Sequence, residues 1–482
     1  MTTKSIGPTQ ALCRLIAGLR FETLPASVIE RTKDLVLDHI GVTLLGSTLE
    51  WSGKVRDVVV REEGRAESTI YGHGRVPARA AALVNGSASH AVEFDDTHDE
   101  SLSHPGAVIM PAAIAIAEAR DCSGQQFLAA IVAGYEAQCR IGSALGRALI
   151  ERGFHPTATL GVYGAAGAVG SLLKLDEKSL LSAFGSAASM SSGVMQFTED
   201  PENTMIKRMH AGLPAERGLL AALLAAEGFT GPNEAIEGQY GFGRILAGTT
   251  ALDRITQDLS SAYEIERISV KLYPCCKQFH SLIEAIEECK AREQFTHQDV
   301  VALEPFGPRA IFDTHMEYRP ESMMSAQYSM PYTAAAAVVM DVSSPVAFDA
   351  DARSRADIHR LSDMVKPSYD EELQAMYPRR FPAGVRISLR DGRKLTHTVL
   401  DARSSPDNPV GHTHIEKKFR TLTADLLGSQ RQQEIIDTIA ALDSTASVRQ
   451  LADLIVNTHS SRPAQSTQSA PKQPASTAGV GA

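Results

Sequence analysis

A dense polar segment between two apolar segments constrains the fold of this chain more than any other feature. Residues 90–106 contain five acidic residues, three histidines and a threonine within seventeen positions. Residues 76–89 and 107–120, on either side, are alanine-rich and have the pattern of buried helices. Burying polar groups is costly unless they are paired or take part in chemistry. We therefore expect segment 90–106 to reach the interior and carry a functional site; a solvated loop with helix caps is the alternative.

The length of the chain and the spacing of its apolar residues predict more than one domain. A chain of 482 residues is too long for one ordinary hydrophobic core. Up to about residue 262 the apolar residues recur at helical spacing, with glycines at 161, 164, 167 and 170 that allow close helix packing. We expect a large all-helical domain over 1–262, a smaller α+β lid domain over 263–405, returning helices over 406–458 and a disordered tail over 459–482. The fold class is therefore mainly α with an α+β second domain.

The second domain has its clearest signal in a β-hairpin. Alternating residues over 384–389 and 394–400 flank an Asp-Gly pair, which favours a tight turn and an antiparallel sheet. Further strands are predicted at 300–306 and 310–313. Helices are predicted at 280–292 and 327–340.

The bulk composition excludes several classes of function. A formal net charge of −10 without a long basic run argues against a nucleic-acid partner. No stretch of about twenty residues is apolar enough to span a membrane, and the N-terminus lacks the apolar run of a signal peptide. Six scattered cysteines without a CxxC pair indicate neither a zinc ribbon nor an iron–sulfur cluster, and they favour a reduced, cytoplasmic environment.

Cationic and ionisable residues are concentrated in a few other places. Residues 207–210 (Lys-Arg-Met-His) come just before an apolar helix, where basic groups oppose the helix dipole; this favours an anion bound there, or else a solvated turn. Lys271 leaves a predicted strand at the domain boundary, in reach of an interdomain cleft. His155 begins the glycine-rich helix and Tyr328 begins an alanine-rich one; a capping or core role is the alternative for each.

This inventory favours one kind of chemistry. Lysines, an arginine and histidines bind carboxylates, while acidic groups, histidines and a tyrosine move protons. The spacing of ligands for a metal, a nucleotide or a flavin is missing, so we expect no cofactor. The residues thus suit proton transfer beside a carboxylate, followed by loss of water or carbon dioxide, or by reprotonation.

The motifs together resemble the MmgE/PrpD family, which includes 2-methylcitrate dehydratases, cis-aconitate decarboxylases and iminodisuccinate epimerases. The resemblance covers residues 8–456 and is carried by residues 93–106, Gly153-Phe-His-Pro, Lys207-Arg-Met-His-Ala-Gly, Lys271-Leu-Tyr-Pro-Cys-Cys and Gln327-Tyr328. It implies a helical domain and a lid with the active site between them, a homodimer, and no metal or organic cofactor.

The resemblance also implies which residues line the pocket. In the decarboxylase branch these are Glu93, Thr97, His104, His155, Lys207, Lys271 and Tyr328. Combining this with the residues themselves, we assign catalytic roles to His104, His155, Lys271, Tyr328 and Asp96, with Asp96 orienting a histidine. Substrate binding is assigned to Glu93, Thr97, Lys207, His210, Cys276 and His280, and no metal ligand is assigned.

We therefore predict a cofactor-independent lyase that acts on a small di- or tricarboxylate, by 2-methylcitrate-type dehydration or cis-aconitate-type decarboxylation. An epimerase of an iminodisuccinate-like acid uses the same groups and is one alternative. A non-catalytic carboxylate-binding protein is the other. The expected partners are the polycarboxylate substrate and a second copy of the chain.

Overall fold

The computed structural model describes residues 6–62, 64–199, 204–249, 251–259, 261–313 and 315–456. The first part of the chain is built from ten helices within these ranges: α1 (Pro8–Gly18), α2 (Ala26–Ser47), α3 (Glu50–Val59), α4 (Ala78–Ser89), α5 (Gly106–Ala119), α6 (Gly124–Glu151), α7 (Pro156–Leu172), α8 (Glu177–Met190), α9 (Ile206–Ala226) and α10 (Asp253–Thr256). The helices predicted on both sides of segment 90–106 are thus confirmed as α4 and α5.

Small residues let these helices approach closely. Helices α4 and α9 cross where a Cβ added to Gly86 would lie 2.7 Å from the Cα of Gly212, so the two backbones touch. This contact brings the start of α9, with Lys207 and His210, beside the end of α4 at His90. The crossing therefore places the basic residues of α9 against the polar segment.

The second part of the chain surrounds a four-stranded sheet of β5 (Val300–Gly307), β6 (Ser368–Tyr369), β7 (Ala383–Leu389) and β8 (Lys394–Val399). The strand order in this sheet is β6–β5–β7–β8. Pairs β5–β7 and β7–β8 are antiparallel, whereas β5–β6 is parallel. The surrounding helices are α11 (His280–Arg292), α12 (Met323–Gln327), α13 (Met330–Val339), α14 (Ala350–Arg353), α15 (Ala356–Ser362) and α16 (Glu371–Met376). The predicted hairpin and the mainly α fold with an α+β second domain are confirmed.

One local prediction for this domain is wrong, and one predicted helix begins later than expected. The strand predicted at 310–313 overlaps a 3₁₀ turn at Arg309–Ile311. The helix predicted over 327–340 is confirmed as α13, but it begins at Met330, because Ser329 caps it by accepting a hydrogen bond of 3.0 Å from the Tyr332 N–H. Tyr328 therefore lies in a break between α12 and α13 and is not held on a helix face.

A short antiparallel pairing connects the polar segment to the second part of the chain. Strand β3 (Thr97–His98) pairs with β4 (Ile268–Ser269), with Thr97 opposite Ser269. A separate pair, β1 (Ser68–Thr69) with β2 (Arg75–Val76), lies before α4. Because Lys271 follows β4 by two residues, the β3–β4 pairing fixes it beside the polar segment.

The last helices, α17 (His412–Thr423), α18 (Ser429–Ala440) and α19 (Arg449–Ile455), lie against the first helices. Phe419 of α17 packs on Gly41 of α2, and Lys418 forms a buried ion pair of 2.7 Å with Asp38.

The domain boundaries at 262 and 405 stay predictions, and the tail predicted to be disordered lies outside the described residues. None of the helices in the described ranges has both the length and the apolar composition needed to cross a bilayer.

Candidate active site

Glu93 lies at the centre of the polar segment and is completely buried. Its backbone has a φ of 55°, in the left-handed region that residues with a Cβ seldom adopt. Such conformations persist only where the surrounding structure enforces them, and they are concentrated at functional sites. Segment 90–106 is thus buried, as predicted. Among its acidic residues, Glu93 is held against a specific set of partners.

Four side chains from three parts of the chain bind the Glu93 carboxylate. Oxygen Oε1 contacts the Lys207 ammonium and lies 2.8 Å from the Arg208 guanidinium, both on the first turn of α9. Oxygen Oε2 accepts a hydrogen bond of 2.9 Å from the Tyr328 hydroxyl and lies 3.4 Å from Lys271 Nζ, which also donates to the Glu93 backbone carbonyl at 3.1 Å. We call these five residues the Glu93 cluster.

The cluster explains why basic residues are tolerated at a helix N-terminus. The sequence predicted that residues 207–210 precede the helix, but α9 begins at Ile206, so Lys207 and Arg208 are in its first turn. The predicted anion is present as the protein's own Glu93 carboxylate. A negative charge placed there offsets the unfavourable interaction of the two cations with the helix dipole.

Burial and charge shift the pKa values of the cluster in different directions. Burial raises the pKa of Glu93, but the attraction of Lys207, Lys271 and Arg208 outweighs it and holds that pKa well below its ordinary value. Burial lowers the pKa of Lys207, which also faces Arg208 and Lys271, and Glu93 only partly opposes this. The pKa of Lys271 is raised, because Glu93 and Asp95 outweigh its burial. Lys207 is therefore the more readily deprotonated of the two lysines.

Four histidines form a second group beside the Glu93 cluster. The rings of His90 and His104 are 4.8 Å apart, and His155 lies 5.9 Å from His90 and 5.2 Å from His210 between ring centres. The Nδ1 atoms of His155 and His210 are 3.1 Å apart, so one donates a hydrogen bond and the other accepts it. Lys207 Nζ lies 3.3 Å from His90 Nε2 and connects the two groups. His104, His155 and His210 are thus brought together as predicted.

Most of these histidines are neutral near neutral pH. Burial, followed by the charge of Lys207, lowers the pKa of His90 to about 3 and that of His210 to about 4. The same two causes lower the pKa of His155 well below its ordinary value. A neutral imidazole can accept a proton or a hydrogen bond, so the group can act as a set of bases.

Asp95, and not Asp96, orients the histidines. Asp95 Oδ2 lies 2.7 Å from His90 Nδ1 and 3.1 Å from His104 Nδ1. The pKa of Asp95 stays well below its ordinary value because His104 and His90 outweigh its burial. The carboxylate accepts a hydrogen bond from His90 Nδ1, whereas His104 Nδ1 makes only a close contact with it. Asp96 accepts hydrogen bonds from the Gly106 N–H at 2.8 Å and the Tyr135 hydroxyl at 2.5 Å. The contact with a histidine that was predicted for Asp96 is therefore made by Asp95.

Three other predicted site residues, Thr97, His280 and Cys276, have the following surroundings, and their role in substrate binding stays a prediction. The Thr97 hydroxyl donates to Asp99 at 3.0 Å. His280 is fully buried at the start of α11 with its ring 5.1 Å from that of Tyr273, and burial lowers its pKa well below the ordinary value, which is the environment of a core histidine. Cys276 is partly exposed, and burial of its thiol raises its pKa to about 11, so the thiolate is scarce near neutral pH.

Sequence reasoning left His90, Asp95, Arg208 and Gln327 out of the assigned site. Gln327 Nε2 donates to the carbonyls of Val92 and Pro274, both at 2.8 Å, and so joins the polar segment to the second part of the chain. All four residues lie inside or next to a motif named in the sequence analysis. Their position beside assigned site residues could have identified them.

His90, Asp95 and His104 also have ligand atoms within 4.8 Å of one another, a spacing that a metal ion could bridge. Both imidazoles, however, turn the same nitrogen to one carboxylate oxygen, and the Lys207 ammonium lies against His90. A neighbouring ammonium disfavours a second cation. The arrangement fits two histidines placed against one carboxylate better than a metal centre.

Comparison with known proteins identifies the family. Residues 10–254 match the MmgE/PrpD N-terminal domain and residues 273–444 match the MmgE/PrpD C-terminal domain. The chain belongs to the MmgE/PrpD family. Residues of the Glu93 cluster come from both matched regions, with Glu93 in the first and Tyr328 in the second.

Curated relatives in this family are similar to the chain over nearly its full length. The "Cis-aconitate decarboxylase-like protein oryM" of Aspergillus oryzae is 30% identical over 93% of this chain and 97% of its own. The cis-aconitate decarboxylase of Aspergillus terreus is 29% identical over 93% and 96%. The cis-aconitate decarboxylase of Mus musculus is 24% identical over 92% of each chain.

Proposed function

We propose that this MmgE/PrpD protein is a lyase that removes carbon dioxide from an unsaturated tricarboxylate of the cis-aconitate type. The observation that carries the proposal is the Glu93 cluster, in which three buried cations and a tyrosine surround one carboxylate beside four histidines. Relatives named cis-aconitate decarboxylases support decarboxylation over dehydration or epimerisation.

The charge of the cluster suits a substrate with several carboxylates. Lys207, Arg208 and Lys271 carry three positive charges, and Glu93 offsets one of them. The surplus of two positive charges matches the two carboxylates that remain after one is lost as carbon dioxide. Because the cluster is buried, its attraction for an anion is stronger than that of the same charges in water.

Decarboxylation leaves a charge that this surplus can stabilise. When the bond between carbon and the departing carboxylate breaks, carbon dioxide leaves and the electron pair stays on carbon, delocalised over the adjacent double bond and its carboxylate. A proton then adds to carbon and gives an unsaturated dicarboxylate. Cations fixed beside the remaining carboxylates lower the energy of this carbanion without having to reorganise.

The proton must come from a group near that carbon. We assign His104 as the donor, with Tyr328 as the second candidate, because His104 lies beside His90 next to the Glu93 cluster and Tyr328 belongs to the cluster. His104 has 13% of its side chain exposed, whereas His90 is closed to solvent, so His104 can exchange its proton with water. Lys207 and Lys271 hold the substrate carboxylates in this assignment.

The activity is tested by offering the protein cis-aconitate, 2-methylcitrate, citrate and iminodisuccinate separately. Carbon dioxide release from cis-aconitate supports the proposal. A new alkene absorbance from 2-methylcitrate indicates a dehydratase instead, and loss of optical rotation without change of mass indicates an epimerase. No reaction with any of the four leaves the carboxylate-binding alternative.

The site assignment is tested with Lys271→Ala and His104→Ala on the substrate that reacts. Each should lower turnover by about a hundredfold to a thousandfold, as the loss of one group that stabilises the transition state does. Lys366→Ala removes an exposed lysine of the second part of the chain and should leave turnover unchanged. If both site variants keep near-normal activity, the assignment is wrong.

Three expectations accompany the proposal. Cofactor independence predicts full activity after exhaustive dialysis against a chelator. A homodimer predicts twice the chain mass of 51.7 kDa in light scattering. A cytoplasmic location predicts that the protein is recovered in the cytosolic fraction of its host cells.

A further inference from the structure

A cleft of about 580 Å³, which does not include the Glu93 cluster, lies between the two parts of the chain. One wall consists of residues 98–100 and Arg254, and the facing wall consists of residues 378–381 and Asp401. Neither Glu93 nor Lys207 lines it. The cleft is therefore a distinct space that both parts of the chain form together.

Lys277 lines this cleft and is a buried cation without a partner. Only 8% of the residue is exposed, and its Nζ makes no hydrogen bond with any residue that the structure describes. An ammonium group in such a place is costly unless an anion or another acceptor satisfies it. By contrast, the buried Lys207, Lys271 and Lys418 each contact a carboxylate.

The N-terminus of α11 faces the same space. Helix α11 begins at His280 directly after a 3₁₀ turn at Lys277–Phe279, and its first N–H donates to the Lys277 carbonyl. Ser281 of its first turn lines the cleft together with Lys277. The first N–H groups of a helix carry partial positive charge and attract anions. Two independent sources of positive potential, a helix N-terminus and an unpaired lysine, therefore meet at one wall.

The acidic side chains of the cleft are mostly occupied by other partners. Asp99 accepts hydrogen bonds from the Thr97 and Ser269 hydroxyls. Glu100 is paired with Arg254 and Arg267, Glu264 with Arg254 and His98, and Asp401 with Arg380. Asp258 and Asp407 line the cleft but are exposed to solvent. Asp99 and Glu284 are near enough to attract the Lys277 ammonium, but no residue that the structure describes accepts a hydrogen bond from its Nζ.

We propose that this cleft is a second anion-binding site, which takes a small oxyanion, a carboxylate or a phosphate, on Lys277 and the N-terminus of α11. Arg379, which is exposed and lines the cleft, provides a second cation. Because both parts of the chain form the walls, a bound anion stabilises their contact. The site is independent of turnover at the Glu93 cluster, so its test requires no substrate.

The test is the binding of inorganic phosphate and of acetate, measured by calorimetry and by the rise in melting temperature at constant ionic strength. The full chain is compared with Lys277→Met, which keeps the length of the side chain and removes its charge. Saturable binding to the unaltered chain, weakened at least about tenfold in Lys277→Met, is the expected result, since a hydrogen bond to a charged group is lost. The stronger of the two ligands identifies the preferred oxyanion.

Lys366→Met is the matched control, because it removes an exposed lysine of the same part of the chain and should leave binding unchanged. The proposal is overturned if the unaltered chain shows no saturable binding, or if Lys277→Met binds as well as Lys366→Met. If Lys277→Met does not fold, Arg379→Gln is used instead, because it changes an exposed residue. Weaker anion binding in Arg379→Gln than in Lys366→Met supports the site, and equal binding overturns it.

Discussion

The Tyr328 hydroxyl donates a hydrogen bond of 2.9 Å to the Glu93 carboxylate across a separation of 235 residues in sequence. Glu93 belongs to the segment between α4 and α5, and Tyr328 lies in the break between α12 and α13. One buried carboxylate therefore joins the two parts of the chain at the place where the candidate chemistry occurs. The same contact links the segment after α4 to the second part of the chain.

Replacing Glu93 by glutamine should destabilise the protein strongly. The change keeps the size of the side chain but leaves Lys207, Arg208 and Lys271 buried without their counter-charge. Removing one partner of a buried ion pair costs about 3–5 kcal/mol. Urea unfolding at pH 7 measures the loss. Glu304→Gln, which removes a half-exposed partner of Arg386, should cost no more than about 1 kcal/mol, and equal losses in the two variants would contradict the prediction.

Replacing Asp95 by asparagine should impair turnover and alter its pH profile. The amide cannot stabilise a protonated His90 or His104 as the carboxylate does, and it can leave their Nδ1 atoms in the wrong tautomer. We expect a fall in kcat of about a hundredfold, with a smaller change in KM. Asp96→Asn is the control one residue away: it touches Tyr135 and Gly106, and should change stability more than the pH profile. An unchanged pH profile in Asp95→Asn would exclude the orienting role.

Binding of a polycarboxylate should be accompanied by proton uptake. The charge of Lys207 contributes to the low pKa values of His90, His155 and His210, and a bound anion offsets that charge. The histidine pKa values then rise and protons bind, more at pH 6 than at pH 8. Calorimetry in two buffers with different enthalpies of ionisation measures the number of protons. A binding enthalpy that is the same in both buffers at pH 6 would count against this coupling.

Acid should destabilise the fold below about pH 6.5 because of buried neutral histidines. Burial lowers the pKa of His39 to about 3, so the unfolded chain binds a proton in a range where the folded chain does not. The unfolded state therefore gains stability as the pH falls from 6.5 toward 3, by about 1.4 kcal/mol per pH unit for each such group.

His39→Gln isolates one of these groups, since His39 lies outside the candidate site and contacts Thr43. The free energy of unfolding of this variant should fall less between pH 6.5 and 5 than that of the unaltered chain. Asp96 acts in the opposite direction, because burial raises its pKa to about 7 and favours the folded state in acid. Denaturant unfolding at both pH values makes the comparison, and parallel losses in the two proteins would show that His39 does not contribute.

The elements with strong local signals were predicted correctly. The Asp391-Gly392 turn between alternating residues gave the hairpin, and apolar helical spacing gave α4 and α5. The helix predicted over 327–340 begins at Met330, because Ser329 caps it. Its consecutive alanines lie at 334–337, so the composition identified the helix but not its first residue.

Within the candidate site, the sequence predicted types of residues better than their contacts. It indicated that an anion lies against residues 207–210, but not that this anion is Glu93 itself. The contact depends on the crossing of α4 and α9 at Gly86 and Gly212, which no local pattern encodes.

By itself the sequence determined the fold class and the set of charged and ionisable residues that meet in the interior, because helical spacing, turn chemistry and motif order are local properties. The tertiary structure decided which of those residues touch. Asp95 and Asp96 are adjacent and chemically alike, yet one faces two histidines and the other faces Tyr135. Neighbouring side chains in an irregular segment point in different directions, and only packing against distant helices selects the partner of each.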